Sequence, residues 1–351
     1  MTSHDIEPRR DLSKLPKAEL HIHLEGSMRR TTLISLCNKY NITIPEDTRG
    51  KKFDDFSAFA SVYIAACECL REESDLNRLV VEIAEDAAKC GARWIEPALS
   101  MLSFCAHRFG GKAETLRLLM RAAERAEQMT GVGMGFIVAA ERMFPVEQAE
   151  ELACMVRDCV DEEDMRICGR RGIIGLGLHG PEEGFPPGPF VKAFSIACDS
   201  SGVVSVPHAG EIAPFEGQGA KSVRDAHQLL KAKRIAHGVL AADDVELLHQ
   251  LKRGGTCLDV CPSSNMLLRV VPSLRSHPLP KLCKIVDCTI NSDDKLLFGC
   301  DLVEEFEICR TELGMSDEEL AQCARNSFRY SCAPKALISN GLADIEKWLS
   351  Y

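Results

Sequence analysis

The strongest constraint on the fold is an alternation that runs the length of the chain. Short apolar, β-branched runs (AELHIHL, ARWIEPALS, GMGFIVAAE, GIIGLGLHG, VVSVPHAG, RIAHGV, TCLDVCPSS and CTINSDD) are mostly separated by longer amphipathic stretches. Examples of the latter are DLNRLVVEIAEDAAKC (75–90) and PVEQAEELACMVRDCV (145–160). Strands that alternate with helices build a parallel sheet with the helices outside it. Eight strand candidates suit an α/β chain closed into a (β/α)8 TIM barrel. The surplus length lies between the first and second strand candidates, at 25–92, and predicts extra helices that cover the barrel mouth. Neither a linker nor an internal repeat divides the chain, which reads as a single domain, 1–351. Capping-box signals predict helix starts at Asp243 with Glu246 and at Ser316 with Glu319.

Composition narrows the function. With 45% hydrophobic residues the core can be sizeable, and a net charge of −10 argues against nucleic-acid binding as the main task. No apolar run approaches the roughly 20 residues that span a bilayer. The first residues, MTSHDIEPRRDLSK, lack the apolar segment of a signal peptide. The 17 cysteines are scattered through helix-like segments with no spacing framework, so they are expected to be reduced, buried thiols of a cytoplasmic protein.

Barrel enzymes place their chemistry at the C-terminal ends of strands. Four of the ten histidines fall there: His21 and His23, two apart on one face of the first strand candidate, His208 on the fifth, and His237 on the sixth. The eighth ends in Asp293 and Asp294. Three imidazoles and a carboxylate at one mouth form a nitrogen and oxygen donor set suited to Zn²⁺. Singly, each has a plainer reading: His208 and His237 as hydrogen-bonded core residues, the aspartates as the start of a helix. It is their coincidence at one end that favours a metal. GLGLHG (175–180) fits a dinucleotide-binding fingerprint, but Pro181 and a Pro/Gly-rich loop follow it where a helix is needed. His23-Leu24-Glu25 fits half of the cytidine deaminase signature, without its P-C-x-x-C partner. His179 reads as a packed or rim imidazole.

In order, LPKAELHIHLEGS, VPHAGE, RIAHGV, CPSSN and NSDD resemble the adenosine deaminase family of metal-dependent amidohydrolases, over nearly the whole chain from Leu15. The resemblance implies a (β/α)8 barrel with one zinc per chain and hydrolytic removal of the 6-amino group of a small-molecule purine. It implies His21, His23, His208 and Asp293 as zinc ligands, Glu211 as proton donor to the ring, and His237 as the residue handling the attacking water. Gly180 and Asp294 would be substrate contacts, with Glu25 beside the ribose in a nucleoside enzyme. The residue chemistry agrees. Zinc brings the pKa of its water to roughly 7, and attack at C6 pushes electrons onto N1, where an acid must deliver a proton. The fourth strand candidate has no lysine, which favours one metal over two.

Adenosine or deoxyadenosine is the substrate expected first. Two departures qualify that: Glu25 stands where family members often carry Asp, and Lys295 where they carry Pro. Glu25, NSDD and HPLPKL (277–282) also resemble relatives that deaminate adenine or aminodeoxyfutalosine. An N6-substituted adenine nucleotide is a further alternative, and a catalytically silent nucleoside-binding relative a more distant one. Without the proline at 295, the strand–helix turn is expected to loosen.

Overall fold

The computed structural model describes residues 9–53, 56–199, 201–213, 215 and 217–350. Eight parallel strands follow one another around a nearly closed barrel: β1 (Lys17–His23), β2 (Ala92–Leu99), β3 (Phe136–Glu141), β4 (Ile173–His179), β5 (Val204–Ala209), β6 (Arg234–His237), β7 (Cys257–Val260) and β8 (Cys288–Ile290). Each of the eight apolar runs supplies one barrel strand, and GMGFIVAAE also forms a short strand at Gly133–Met134 that pairs with β2. Their residues are buried almost throughout, as expected for a sheet with side chains on one face and helices on the other. Between β1 and β2 lie three helices, α1 (Arg30–Tyr40), α2 (Phe56–Glu68) and α3 (Glu73–Lys89). Of these, α2 brings Phe59, Tyr63 and Ile64 to the barrel mouth.

The barrel's last seam is made differently from the others. β8 and β1 are joined by a single bridge between Ile22 and Asp293, reinforced by the Asn291 side chain, which accepts from the Leu20 and His21 amides at 2.8 and 3.1 Å. The Asp293 amide donates to the His21 carbonyl and the His23 amide to the Asp293 carbonyl, both at 3.2 Å. Asp293 takes a left-handed φ of 60° to do this.

At the N-terminal end the interior is polar and built around ion pairs. Arg234 is completely buried, with Glu96 at 2.7 Å and Asp259 at 2.8 Å. Trp94 and the Cys332 amide donate to Glu96, and Thr289 donates to Asp259. Burial disfavours the charge on Arg234, but the two carboxylates outweigh it and hold the guanidinium firmly protonated. Ala98, Ile137, Ile174 and Val206 pack together in the barrel interior.

Two local expectations are corrected. The helix near 245 is capped by Asp244, whose carboxylate accepts from the Leu247 amide at 3.0 Å; Asp243 is one residue too early and pairs instead with Lys281. The turn at Lys295 is not loose. Leu297 and Phe298 donate to the Asp294 carbonyl at 2.9 Å, and the Lys295 ammonium lies 3.1 Å from Asp86 of α3, a tie proline could not make. The Ser316–Glu319 capping box is present. No helix among the described residues is long and apolar enough to cross a membrane. Residues 1–8, part of the stretch read for a signal peptide, lie outside the described residues.

Candidate active site

The strand ends bring His21, His23, His208 and Asp293 together, with one donor atom from each within 4.8 Å of the others. His21 Nε2 faces His208 Nε2 at 3.1 Å, and the Asp293 carboxylate lies 3.1 Å from His23 Nε2 and 3.4 Å from His21 Nε2. The Asp259 carbonyl accepts from His21 Nδ1 at 2.9 Å, so the proton sits there and the Nε2 lone pair points into the cluster. Two imidazole nitrogens at this distance either share one proton or hold one cation, and His208 Nδ1 meets no hydrogen-bond partner among the described residues that would fix its tautomer. A cation between them resolves the arrangement, and the nitrogen-rich set fits zinc. Burial opposes ionisation of Asp293, yet the surrounding histidines hold its carboxyl well below the usual range.

Glu211 and His237 meet beside the cluster, with His237 Nε2 3.3 Å from Glu211 Oε1 and 3.7 Å from Asp293 Oδ2. Burial, then the charges of Asp293 and Glu182, push the Glu211 carboxyl well above the normal carboxylate range. Glu182 also holds the loop that carries Glu211. It accepts from the amides of Gly210, Glu211 and Ile212 at 2.9, 2.7 and 3.1 Å and from the Ser222 hydroxyl.

The His237 tautomer is set from outside the site. The Leu279 amide donates to His277 Nδ1 at 3.1 Å, so His277 Nε2 carries a proton and donates to Asn265 Oδ1 at 3.1 Å. Asn265 Nδ2 then donates to His237 Nδ1 at 3.1 Å, which leaves the remaining proton on Nε2, aimed at the cluster. Burial drives the His277 pKa down to about 4 and keeps this relay neutral.

A cavity of about 120 Å³ lies over these groups, lined by His23, His179, His208, Glu211, His237, Asp293 and Asp294, with Phe59, Tyr63, Phe104 and Met143 among its apolar walls. Asp294 is buried, and neither carboxyl oxygen meets a hydrogen-bond donor among the described residues. Gly26 is required beneath it, since a Cβ there would sit 1.6 Å from Asp294 Oδ1. Gly180, at φ +92°, lines the same space. Glu25 is wholly buried and accepts from the hydroxyl of Tyr63, which itself lines the cavity, at 2.6 Å. His179 is the packed imidazole expected, and it also lines the cavity. Its ring stands edge-on to His23 and His208, with centroids 4.6 Å from each.

An adenosine deaminase family profile matches residues 16–347. The chain belongs to the adenosine deaminase family. It is 37% identical over 362 residues to a putative adenosine/adenine deaminase of Streptomyces coelicolor, covering 98% of this chain and 99% of that protein. An aminodeoxyfutalosine deaminase of Acidothermus cellulolyticus is 33% identical, covering 88% and 85%. The crystal structure of an adenine deaminase from Arthrobacter aurescens superposes with a TM-score of 0.84 at 28% identity, covering 96% of this chain and 99% of that one. This member of the family is thus a barrel hydrolase acting on carbon–nitrogen bonds of cyclic amidines.

Sequence reading missed Asn265, His277, Glu182 and the wall around His179. Asn265 and His277 lie in the quoted CPSSN and HPLPKL motifs, and Glu182 in the loop after β4. What was invisible was contact between them, which depends on the barrel bringing distant strand ends together.

Proposed function

We propose that this chain deaminates a 6-aminopurine hydrolytically, with one zinc ion held by His21, His23, His208 and Asp293. One observation carries the reading: four converging donors lie beside a buried carboxyl, Glu211, whose pKa burial and the neighbouring carboxylates push up. When bound, zinc supplies an electrophile that acidifies water.

The remaining chemistry belongs to the side chains. His237, with its proton on Nε2, donates to and orients the attacking oxygen rather than abstracting a proton through that atom. As the oxygen bonds to C6 and the ring electrons move to N1, Glu211 delivers its proton to N1. The C6–N bond then breaks and ammonia leaves. The proton on N1 comes from Glu211; the carboxylate so formed takes up the two protons of water in turn, passing one to the leaving amine and keeping the other, which restores Glu211. Asp294 accepts from an N–H of the substrate, and Gly180 lets the ring lie close to the backbone. Glu25 acts on the substrate side through Tyr63.

The names of the similar proteins support adenine or an adenine-bearing compound. Adenosine and deoxyadenosine, first on sequence resemblance, belong in the same test. Zinc-loaded protein is given adenine, adenosine, deoxyadenosine and aminodeoxyfutalosine, and ammonia release is followed. Turnover of at least one is expected; none from any of them overturns the reading.

A further inference from the structure

The cavity has two polar poles, and the proposed reaction uses only one. The second is made by Ser100, Glu141 and His179, at the ends of β2, β3 and β4. Ser100 Oγ lies 2.8 Å from His179 Nδ1, and its hydroxyl is near enough to Glu141 to favour the ionised carboxylate. When Glu141 is ionised it can only accept, so the serine proton then goes to Glu141 and the Nδ1 proton of His179 to the serine oxygen. Glu141 Oε1 is left over. It is buried, lines the cavity, has no hydrogen-bond partner among the described residues, and lies 4.0 Å from His179 Nδ1, beyond hydrogen-bonding range. A buried, unpartnered oxygen on a cavity-lining residue calls for a donor that arrives with the ligand.

The position of the pole says which donor. C6 of the purine must sit at the metal cluster, beside Glu211 and Asp294. His179 packs against two members of that cluster, and Glu141 Oε1 lies 4.0 Å from its Nδ1. The cavity's other walls are chiefly aromatic and aliphatic: Phe59, Tyr63, Ile64, Phe104 and Met143. A flat ring with its six-position at the first pole therefore turns its opposite edge, N3 and N9, toward Glu141. The wall here is close. A Cβ on Gly180 would come within 3.6 Å of Glu141 Oε2 and 3.3 Å of Met143. In free adenine that edge carries an N–H. In a nucleoside the same nitrogen carries a sugar carbon and has nothing to donate.

Resting on the deaminase reading above, we propose that Glu141, oriented through Ser100 by His179, accepts the imidazole N–H of the free base and so selects adenine over its 9-substituted derivatives. Burial raises the Glu141 pKa to about 7 while the Ser100 hydrogen bond opposes the rise, leaving a carboxyl that gains from a donor near neutrality. Losing the substrate N–H leaves that buried group unmatched, the kind of mismatch binding sites reject most strongly.

The test measures kcat/KM of the zinc-loaded protein on adenine, 9-methyladenine and adenosine, in wild type, Glu141→Met and Glu141→Gln. Wild type should favour adenine over 9-methyladenine by about 100-fold or more. Glu141→Met should lose most of its activity on adenine and little on 9-methyladenine, collapsing the preference. Glu141→Gln keeps a carbonyl acceptor and should retain much of it. The comparison of substrates in wild type needs no variant, so misfolding of Glu141→Met leaves it decisive. Equal turnover of adenine and 9-methyladenine, or a preference for adenosine, overturns the inference and leaves the deaminase reading intact. No ammonia from any of the three or from aminodeoxyfutalosine overturns both.

Discussion

The two ends of this barrel interior are both polar and both buried, yet they are built on opposite principles. At the N-terminal end Arg234 is paired with Glu96 and Asp259, and the carboxylates take further donors from Trp94, Cys332 and Thr289. At the C-terminal mouth, polar atoms of His23, His208, His237, Glu141 and Asp294 lack hydrogen-bond partners among the described residues. A buried polar atom left unmatched costs about 1–3 kcal/mol, so such a concentration at one end marks where something else binds. The floor is organised for the fold and the mouth for a ligand. Asp259 serves both: its side chain holds Arg234, and its carbonyl sets the tautomer of His21.

This contrast can be broken from either side. The largest effect belongs to the mouth: Glu211→Gln should lower kcat by about 10²–10⁴-fold. Because it removes a buried ionisable group, it should leave the denaturation midpoint unchanged or raised. A midpoint that falls with activity would make Glu211 structural. Arg234→Met is the mirror image. It strands two buried carboxylates and should cost about 3–5 kcal/mol in urea unfolding, with kcat per folded molecule nearly unchanged.

A third test uses pH. Glu141 titrates near 4.5 when unfolded and at about 7 when folded, so its protonated form is the one the fold prefers. Its contribution is complete below pH 4.5 and is lost as pH rises through about 7, by about 3 kcal/mol in all. The difference in unfolding free energy between wild type and Glu141→Gln, measured without metal at pH 4 and pH 8, should show this slope. Equal values at both would mean Glu141 is well solvated. The smallest effect should come from Asn265→Ala, which cuts the relay from His277 and should lower kcat by about 10–100-fold while leaving zinc content unchanged. Loss of zinc along with activity would place Asn265 in support of the metal ligands instead.

Much of this was legible in the sequence because strand ends are local signals. β1 announces itself by alternation, and H-x-H places two imidazoles on one face whatever the rest of the chain does. The C-terminal-end rule then gathers His208, His237 and Asp293 without any distance being known. The Asn265–His277 relay and the Ser100–Glu141–His179 wall were not legible, because each is a contact between separate loops or strands and none of these residues carries a spacing that distinguishes it. The cap at Asp244 shows the resolution limit: two adjacent aspartates offer the same chemistry, and only the backbone decides between them.

The seam between β8 and β1 has a consequence for assembly. The same residue that offers a carboxylate to the cluster also supplies, through its own amide and carbonyl, the stitches that fasten the last strand to the first. On the proposed metal site, stripping the ion should let this join exchange its amide hydrogens sooner than the seven ordinary joins around it.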